Sequence, residues 1–504
     1  MSKTRVNNQQ SRDDNSWLPF QNRVDELHEI IHNIAIQGGD RLILLIAMPE
    51  MGKSCLLKHL DGEVISRSSA QHHVSYVNLG AERPEIRTDL KALLAQLFQG
   101  QDWGHGPDEP DPADQQGYLN RLVSTTTQII LRSNRPWLVK LDNAELMSKD
   151  TAGKMRRALC SIIRELRTKN RDHLLSFIAA SRVEIPAFKG IIPEPGFRTI
   201  ILTHFDDNVI SKTLEKIGTN LGLQQSTEYY QQLGKWLWRE TEGLPALLVK
   251  YLKWINDNLF VFGDDFEETS RKLFEKLARP YIENKLLALD TVVPGTIVNH
   301  RREEVRPAFS ELVLGTSIFR LVTRSHLTLM AHQQPLLSDA MQTIQTLSTP
   351  YDAYDMYGLL PVVKPVAELW YVPYTTVRRL YFKYRYLSVE DQIRVHRQAQ
   401  EIYANWADIR SGSDQIRFLI EQFWHEVEKV RLSPPPDPLG HITEYVDRLL
   451  DPHLLSDEFD YQDLHKLFRK LAENDKELQS SLEELRRGFS TEFLTWLHKR
   501  EEKP

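Results

Sequence analysis

The stretch Ala47-Met48-Pro49-Glu50-Met51-Gly52-Lys53-Ser54 places a lysine and a hydroxyl directly after a glycine, behind the apolar run Leu42–Ile46 and ahead of the helical pattern that starts at Cys55. A strand, a tight loop and a helix in that order is the context in which such a loop holds phosphate. Successive backbone N–H groups form a concave nest for an anion, and the new helix turns its positive end toward it. Lys53 supplies a point charge for β- and γ-phosphates, and the Ser54 hydroxyl can ligate Mg²⁺. A chance Gly-Lys-Ser at a helix start is the plain alternative, and strand, turn and helix in register speak against it. Three residues bear on turnover more than on binding. Ala47 adds a methyl where a tight turn favours glycine. Pro49 removes an N–H donor. Glu50 brings a carboxylate near the phosphate oxygens unless it turns outward.

Three further groups of residues fit the same chemistry. In P-W-L-V-K-L-D-N-A-E, residues 136–145, Asp142 ends an apolar run where a carboxylate holds the Mg²⁺ shell through water. Asn143 follows where a second acid is common, which leaves Glu145 as the general base or the site without one. Asp142 as a plain helix cap is the competing reading. In F-I-A-A-S-R, residues 177–182, Arg182 ends the next strand, where a guanidinium can report a γ-phosphate; a solvated strand-end arginine is the alternative. In E-G-L-P-A-L-L, residues 242–248, Gly243 closes one helix and Pro245 presets the first turn of the next. Alone this is a helix–helix turn. After the Arg182 strand, in a helical lid, it aims a helix start at nucleotide.

These residues need a scaffold that brings strand ends together. Apolar runs at 42–46, 74–79, 137–141, 174–180 and 199–202 alternate with helical patterns near 24–36, 53–60, 86–98, 115–131 and 154–166. Continuous apolar runs separated by helices predict parallel strands buried on both faces, a doubly wound α/β layer. After Phe205 four helical stretches, 207–221, 227–240, 246–258 and 265–278, predict a helical lid. Region 285–400 mixes helices with a hairpin pattern at 360–364 and 368–374 and then a helix at 375–386, the order of a winged helix. A Pro run at 433–438 predicts a stiff linker within a final helical region that has room for one degenerate helical-repeat pair. The expected domains are a disordered tail 1–17, a P-loop nucleotide-binding domain 18–205, a lid 206–284, a winged helix 285–400 and an all-α region 401–504. A chain of 504 residues with 41% hydrophobic and 26% charged residues is an ordinary multi-domain globular protein. The net charge of −6 disfavours nucleic acid as the default partner. Two cysteines, Cys55 and Cys160, exclude a disulfide framework and fit a reducing cytoplasm. No apolar run approaches the roughly 20 residues that span a bilayer.

Taken in order, these pieces resemble the signal-transduction ATPases with numerous domains, the STAND class, relatives of the AAA+ ATPases. That class opens on F-x-G-R-x-x-E-L, and this chain has F-Q-N-R-V-D-E-L from Phe20 to Leu27, with Asn22 in place of the glycine. The resemblance spans residues 18 to 400. It implies that Phe20 and Arg23 lie against base and ribose, that the loop with Lys53 and Ser54 binds phosphates, and that Asp142 serves the metal. It further implies Arg182 as the sensor and Gly243-Leu244-Pro245 as the lid motif, with ATP/ADP and Mg²⁺ as cofactors. The class carries a histidine in its winged helix that touches ADP; here the stretch offers Tyr374, and that contact is not carried over. Lys140 is unusual for a buried strand. An effector acting in trans, or a reduced regulatory subunit, both fit the chain.

Three functions compete on the sequence. The first is a slow ATPase switch, closed on ADP and open on ATP, with a protein partner in trans and nucleotide-dependent self-association. The second is a winged-helix DNA-binding regulator or loader. It draws on V-R-R-L-Y-F-K-Y-R-Y-L, where Arg378, Arg379, Lys383 and Arg385 interleave with aromatics; a helix with its rings in the core and its cations in water is the plainer reading. The third is a nucleotide-binding scaffold without turnover. No N-K-x-D base-reading motif follows the strands, which favours ATP over GTP.

Overall fold

The structure, a computed structural model, describes residues 23–35, 41–48, 50–67, 72–98, 114–182, 184–188, 197–220, 225–257, 266–293, 297, 299–347, 352–360, 362–367, 370–408, 412–454, 461–486 and 488–501. The predicted tail, Phe20, Asn22 and Pro49 lie outside them. The chain divides into two compact units, Met1–Ala278 and Arg279–Pro504.

In the first unit five parallel strands, β1 (Leu42–Ile46), β2 (His73–Asn78), β3 (Trp137–Asp142), β4 (Leu175–Ser181) and β5 (Arg198–Ile201), lie in the order β2-β3-β4-β1-β5. This is the predicted α/β P-loop sheet. The three inner strands are buried along their whole length, as their unbroken apolar runs require. The two edges depart from the expectation of full burial. Val74 and Tyr76 of β2 are exposed, and Ile201 of β5 is 63% exposed, because an edge strand has a neighbour on one side only.

Helices at Leu90–Leu97, Gln115–Ser133 and Lys149–Thr168 cover one side of the sheet. The last is capped by Ser148, whose hydroxyl accepts from the Thr151 amide at 3.1 Å, a bond contributing about 1 kcal/mol. Its Met155, Leu159, Ile162 and Leu166 recur at helical spacing and are fully buried. The helix Lys53–Arg67 runs beneath the loop that follows β1. Lys140, buried in β3, meets it by donating to the Leu57 carbonyl at 2.9 Å. Beyond β5 the chain is helical, with Asp207–Asn220, Thr227–Thr241, Pro245–Asp257 and Phe266–Leu273 at the predicted lid positions. A π-helical turn, Phe274–Ala278, continues the last of them.

The second unit is helical apart from an antiparallel hairpin, β6 (Val363–Ala367) with β7 (Trp370–Pro373). The first strand starts later than the predicted 360–364, where the Val363 amide donates to the Leu360 carbonyl at 3.1 Å across a turn, and the second lies within the predicted 368–374. Val322 adds a third rung by bridging Tyr371 of β7. Packing is continuous across residue 400. His396 and His425 bring their Nδ1 atoms to 2.8 Å, joining the helices Val389–Asp408 and Gly412–Leu432. The Pro run is the short connection into the helix Pro438–Leu454.

Buried histidines make this unit sensitive to acid. Burial lowers His326 to about 3 and, as the largest of several influences, lowers His396 to about 3. A folded pKa below the unfolded value of about 6.5 means that stability is full above pH 6.5 and is lost as pH falls toward 3. Each group withdraws about 1.4 kcal/mol per pH unit in that window. Between pH 7 and 5.5 the second unit is expected to lose about 3 kcal/mol, read as a drop in its denaturant midpoint; an unmoved midpoint would exclude neutral buried imidazoles.

Candidate nucleotide site

The C-terminal ends of the strands carry the candidate residues, and the register explains why they meet. Ile46 lies opposite Ser181 and Asn78 opposite Asp142, so β1 to β4 end at one level. The ladder extends one rung further, from the Ala47 amide to the Ser181 carbonyl at 3.1 Å. A ligand at this edge faces the loop after β1, where chain connections leave the sheet in opposite directions.

The loop turns on two left-handed residues, Glu50 at φ 67° and Gly52 at φ 85°. At Gly52 a Cβ would meet no atom within 4 Å, so glycine is favoured by the backbone angle and not by space. Ala47, Met48 and Met51 are buried, whereas Ser54 and Cys55 are exposed at the start of the helix. Lys53 is 7% exposed, and its ammonium donates to the carbonyls of Ala47 and Met48, the latter at 2.9 Å. Burial lowers the Lys53 pKa to about 8, against the opposing pull of Glu145, Asp142 and Glu50. Arg182 adds to the lowering. Four of the five other charged candidates thus act on one ammonium.

Asp142 is the most densely engaged of them. Its Oδ2 accepts from the Ser54 hydroxyl at 2.5 Å and from the Tyr76 phenol at 3.0 Å, and its Oδ1 accepts from the Asn143 amide at 2.9 Å. Ser54 and Asp142, predicted from sequence as the metal pair, are therefore in direct contact. Among the described residues no group of three or more His, Cys, Asp or Glu forms a metal cage. A hydroxyl beside one carboxylate fits Mg²⁺, which keeps waters and takes much of its shell from phosphate oxygens.

Glu145 and Arg182 pair with each other. Arg182 Nε lies 3.1 Å from Glu145 Oε1, and the Arg182 amide donates to Oε2 at 3.1 Å. Asn143, left-handed at φ 56°, donates its side-chain amide to Oδ1 of Asn78, the last residue of β2, at 2.7 Å. The position of a second acid is thus filled by a neutral pair.

Of the remaining candidates, Arg23 reaches the loop directly and Gly243 through Phe205. Arg23 is buried, and its guanidinium donates to the carbonyls of Met51 at 3.2 Å and Thr203 at 2.5 Å. It also pairs with Glu26 and stands 4.6 Å from the centre of the Phe205 ring. Phe205 in turn donates its amide to the Gly243 carbonyl at 2.9 Å. A Cβ on Gly243 would sit 2.1 Å from the Phe205 carbonyl oxygen, and the residue has φ 66°, so both space and backbone call for glycine. Pro245 is buried at the start of its helix. Arg23 and Gly243 thus grip the segment after β5 from two sides. Tyr76, Asn78 and Thr203 were missed from sequence, because their places in the site follow from strand order.

No family model matches the chain, and no curated protein matches it. Among solved structures it is similar to a Walker-type ATPase of Pyrococcus abyssi, at 14% identity and a TM-score of 0.41, over 71% of this chain and 95% of that one. It is similar also to Cdc6p of Pyrobaculum aerophilum, at 12% identity and a TM-score of 0.34, over 72% and 94%. A third is AMPPCP-bound DnaA of Aquifex aeolicus, at 12% identity and a TM-score of 0.31, over 66% and 90%. Among the described residues no helix is long and apolar enough to cross a membrane.

Proposed function

We propose that the chain is an ATP-binding switch of the P-loop type, related to the AAA+ and STAND ATPases, that distinguishes ATP from ADP and passes the difference to a protein partner. The observation that carries this reading is the Glu145–Arg182 pair beside Lys53. A γ-phosphate offers the guanidinium a competing anion with better bidentate geometry, and ADP does not. ATP therefore has a differential contact available, which any ligand-driven switch requires. Turnover is slow on this reading. Glu145 Oε2 still accepts from the Arg182 backbone amide when the guanidinium turns to a γ-phosphate, and Asn143 has no capacity to take a proton from water.

Gly243 and Arg23 supply a route from the site to the lid helices through Phe205 and Thr203. We read residues 285–400 as a winged helix, on the order of helices, the Val322 rung, the hairpin and the helix Thr375–Arg385. A protein partner is favoured over DNA by the basic helix Thr375–Arg385. Its three arginines are not in water, as an amphipathic pattern suggests, but paired within the unit. Arg378 is 3% exposed and bound to Glu477, Arg379 contacts Glu477 and Glu484, and Arg385 is bound to Glu311. The helix Pro335–Leu347, two elements before the hairpin, exposes Leu336, Ser338, Asp339 and Gln342 and has no Lys or Arg for phosphates.

The test is a comparison of ATP and ADP affinities in the parent and in Arg182→Ala. ATP binding should weaken by about 10-fold or more, while ADP binding stays within about twofold. Equal losses for both nucleotides, or none, would exclude Arg182 as the discriminating group.

A further inference from the structure

We infer that Tyr76 is a positioning residue for divalent-cation binding, holding the Asp142 carboxylate in place from the neighbouring edge strand. The inference rests on the nucleotide-site reading and goes beyond the residues that the loop and its acid supply. Tyr76 lies opposite Lys140 in the β2–β3 register, and Asp142 is two residues further along β3. Side chains two apart on a strand share a face, so Tyr76, Lys140 and Asp142 all point toward the helix Lys53–Arg67. The contacts agree. Lys140 reaches the Leu57 carbonyl, Ser54 reaches Asp142, and the phenol of Tyr76 donates to the same Asp142 oxygen at 3.0 Å.

The arrangement leaves the carboxylate little freedom. A carboxylate oxygen has two lone-pair sites, and both on Oδ2 are used, by Ser54 and Tyr76. One on Oδ1 is used by the Asn143 amide. The acceptor site that remains, on Oδ1, suits a cation-bound water. Without the phenol, Asp142 would keep its bond to Ser54 but could swing about it. Orienting partners of this kind are worth roughly 10–100-fold in metal affinity. The ring itself is anchored elsewhere: Lys140 Nζ lies 5.5 Å from its centre, so removing the hydroxyl leaves the ring's packing in place.

The experiment is Tyr76→Phe in the full chain, with ATP binding measured against Mg²⁺ concentration and again in EDTA. The expected result is a Mg²⁺ requirement raised by about 10-fold, with ATP affinity in EDTA and the unfolding temperature unchanged. An unchanged Mg²⁺ requirement, a parent without Mg²⁺ dependence, or equal losses with and without Mg²⁺ would each overturn the inference. Lys53→Ala separates the two claims. If that variant binds nucleotide like the parent, the site reading fails; if it does not bind and Tyr76→Phe matches the parent, only the role of Tyr76 fails.

Discussion

Lys53→Ala is expected to weaken ATP and ADP binding together by about 100-fold or more, since a buried ammonium makes charge-assisted contacts to the phosphates of both. The variant should fold normally. Its lysine is held in a place that disfavours its own charge, with a pKa lowered to about 8 chiefly by burial. The same fact shapes the pH dependence of the parent. Phosphate favours the protonated amine, so affinity should be level up to about pH 8. Above that point binding must take up a proton, and affinity should fall by up to tenfold per pH unit. In Lys53→Ala the decline should vanish. Titration calorimetry at pH 7 and 9 measures both, and a parent whose affinity is flat across that range would exclude Lys53 as the phosphate contact.

Arg320→Met is expected to destabilise the second unit by about 3–5 kcal/mol. Arg320 is 8% exposed and makes a bidentate pair with Glu421, at 2.9 and 3.0 Å, and a further contact with Asp475 at 2.8 Å. Burial opposes its charge, but Glu421 and Asp475 outweigh that and hold it protonated. Both Arg320 and Arg378 lie over the Trp424 ring, at 4.8 and 5.0 Å from its centre. Taking the guanidinium away strands the buried carboxylate of Glu421 and the half-buried one of Asp475. Adding Glu421→Gln and Asp475→Asn should restore part of the loss, because neutral amides tolerate burial better than unpaired charges. Urea unfolding followed through the tryptophans reads the outcome. A loss below about 1 kcal/mol would place this network among weak surface pairs.

Much of the candidate site could be read in the chain because it is written locally. The loop, its strand and its helix are contiguous, and Asp142 and Arg182 each end an apolar run. What the residues do to one another was not legible. Glu145 looks available as a base until β3 and β4 pair and bring Arg182 to it. Tyr76 looks like an ordinary edge aromatic until the register sets it against Lys140. The basic helix shows the same limit from the other side. Helical periodicity marks the apolar face of Thr375–Arg385, but it says nothing of Glu477, nearly 100 residues later, which covers Arg378. The start of the first hairpin strand slipped for a local reason, since Leu360 and Val362 have strand-like side chains but precede the ladder, with the Val363 amide turned back to the Leu360 carbonyl.

The position of β1 in the sheet has a consequence for how the molecule is made. Leu42 pairs with Phe177 and Ile43 with Arg198, so both neighbours of the first strand emerge from the ribosome long after it does. Until then an apolar strand with two open edges waits in the nascent chain, the kind of segment that recruits chaperones or aggregates. Closing such a long loop is slow, and the phosphate loop has no fixed geometry before it closes. Nucleotide can be bound only by a chain synthesised past Ile201. Occupancy of the loop would therefore certify that the five-stranded sheet is assembled, while about 300 residues remain to be synthesised.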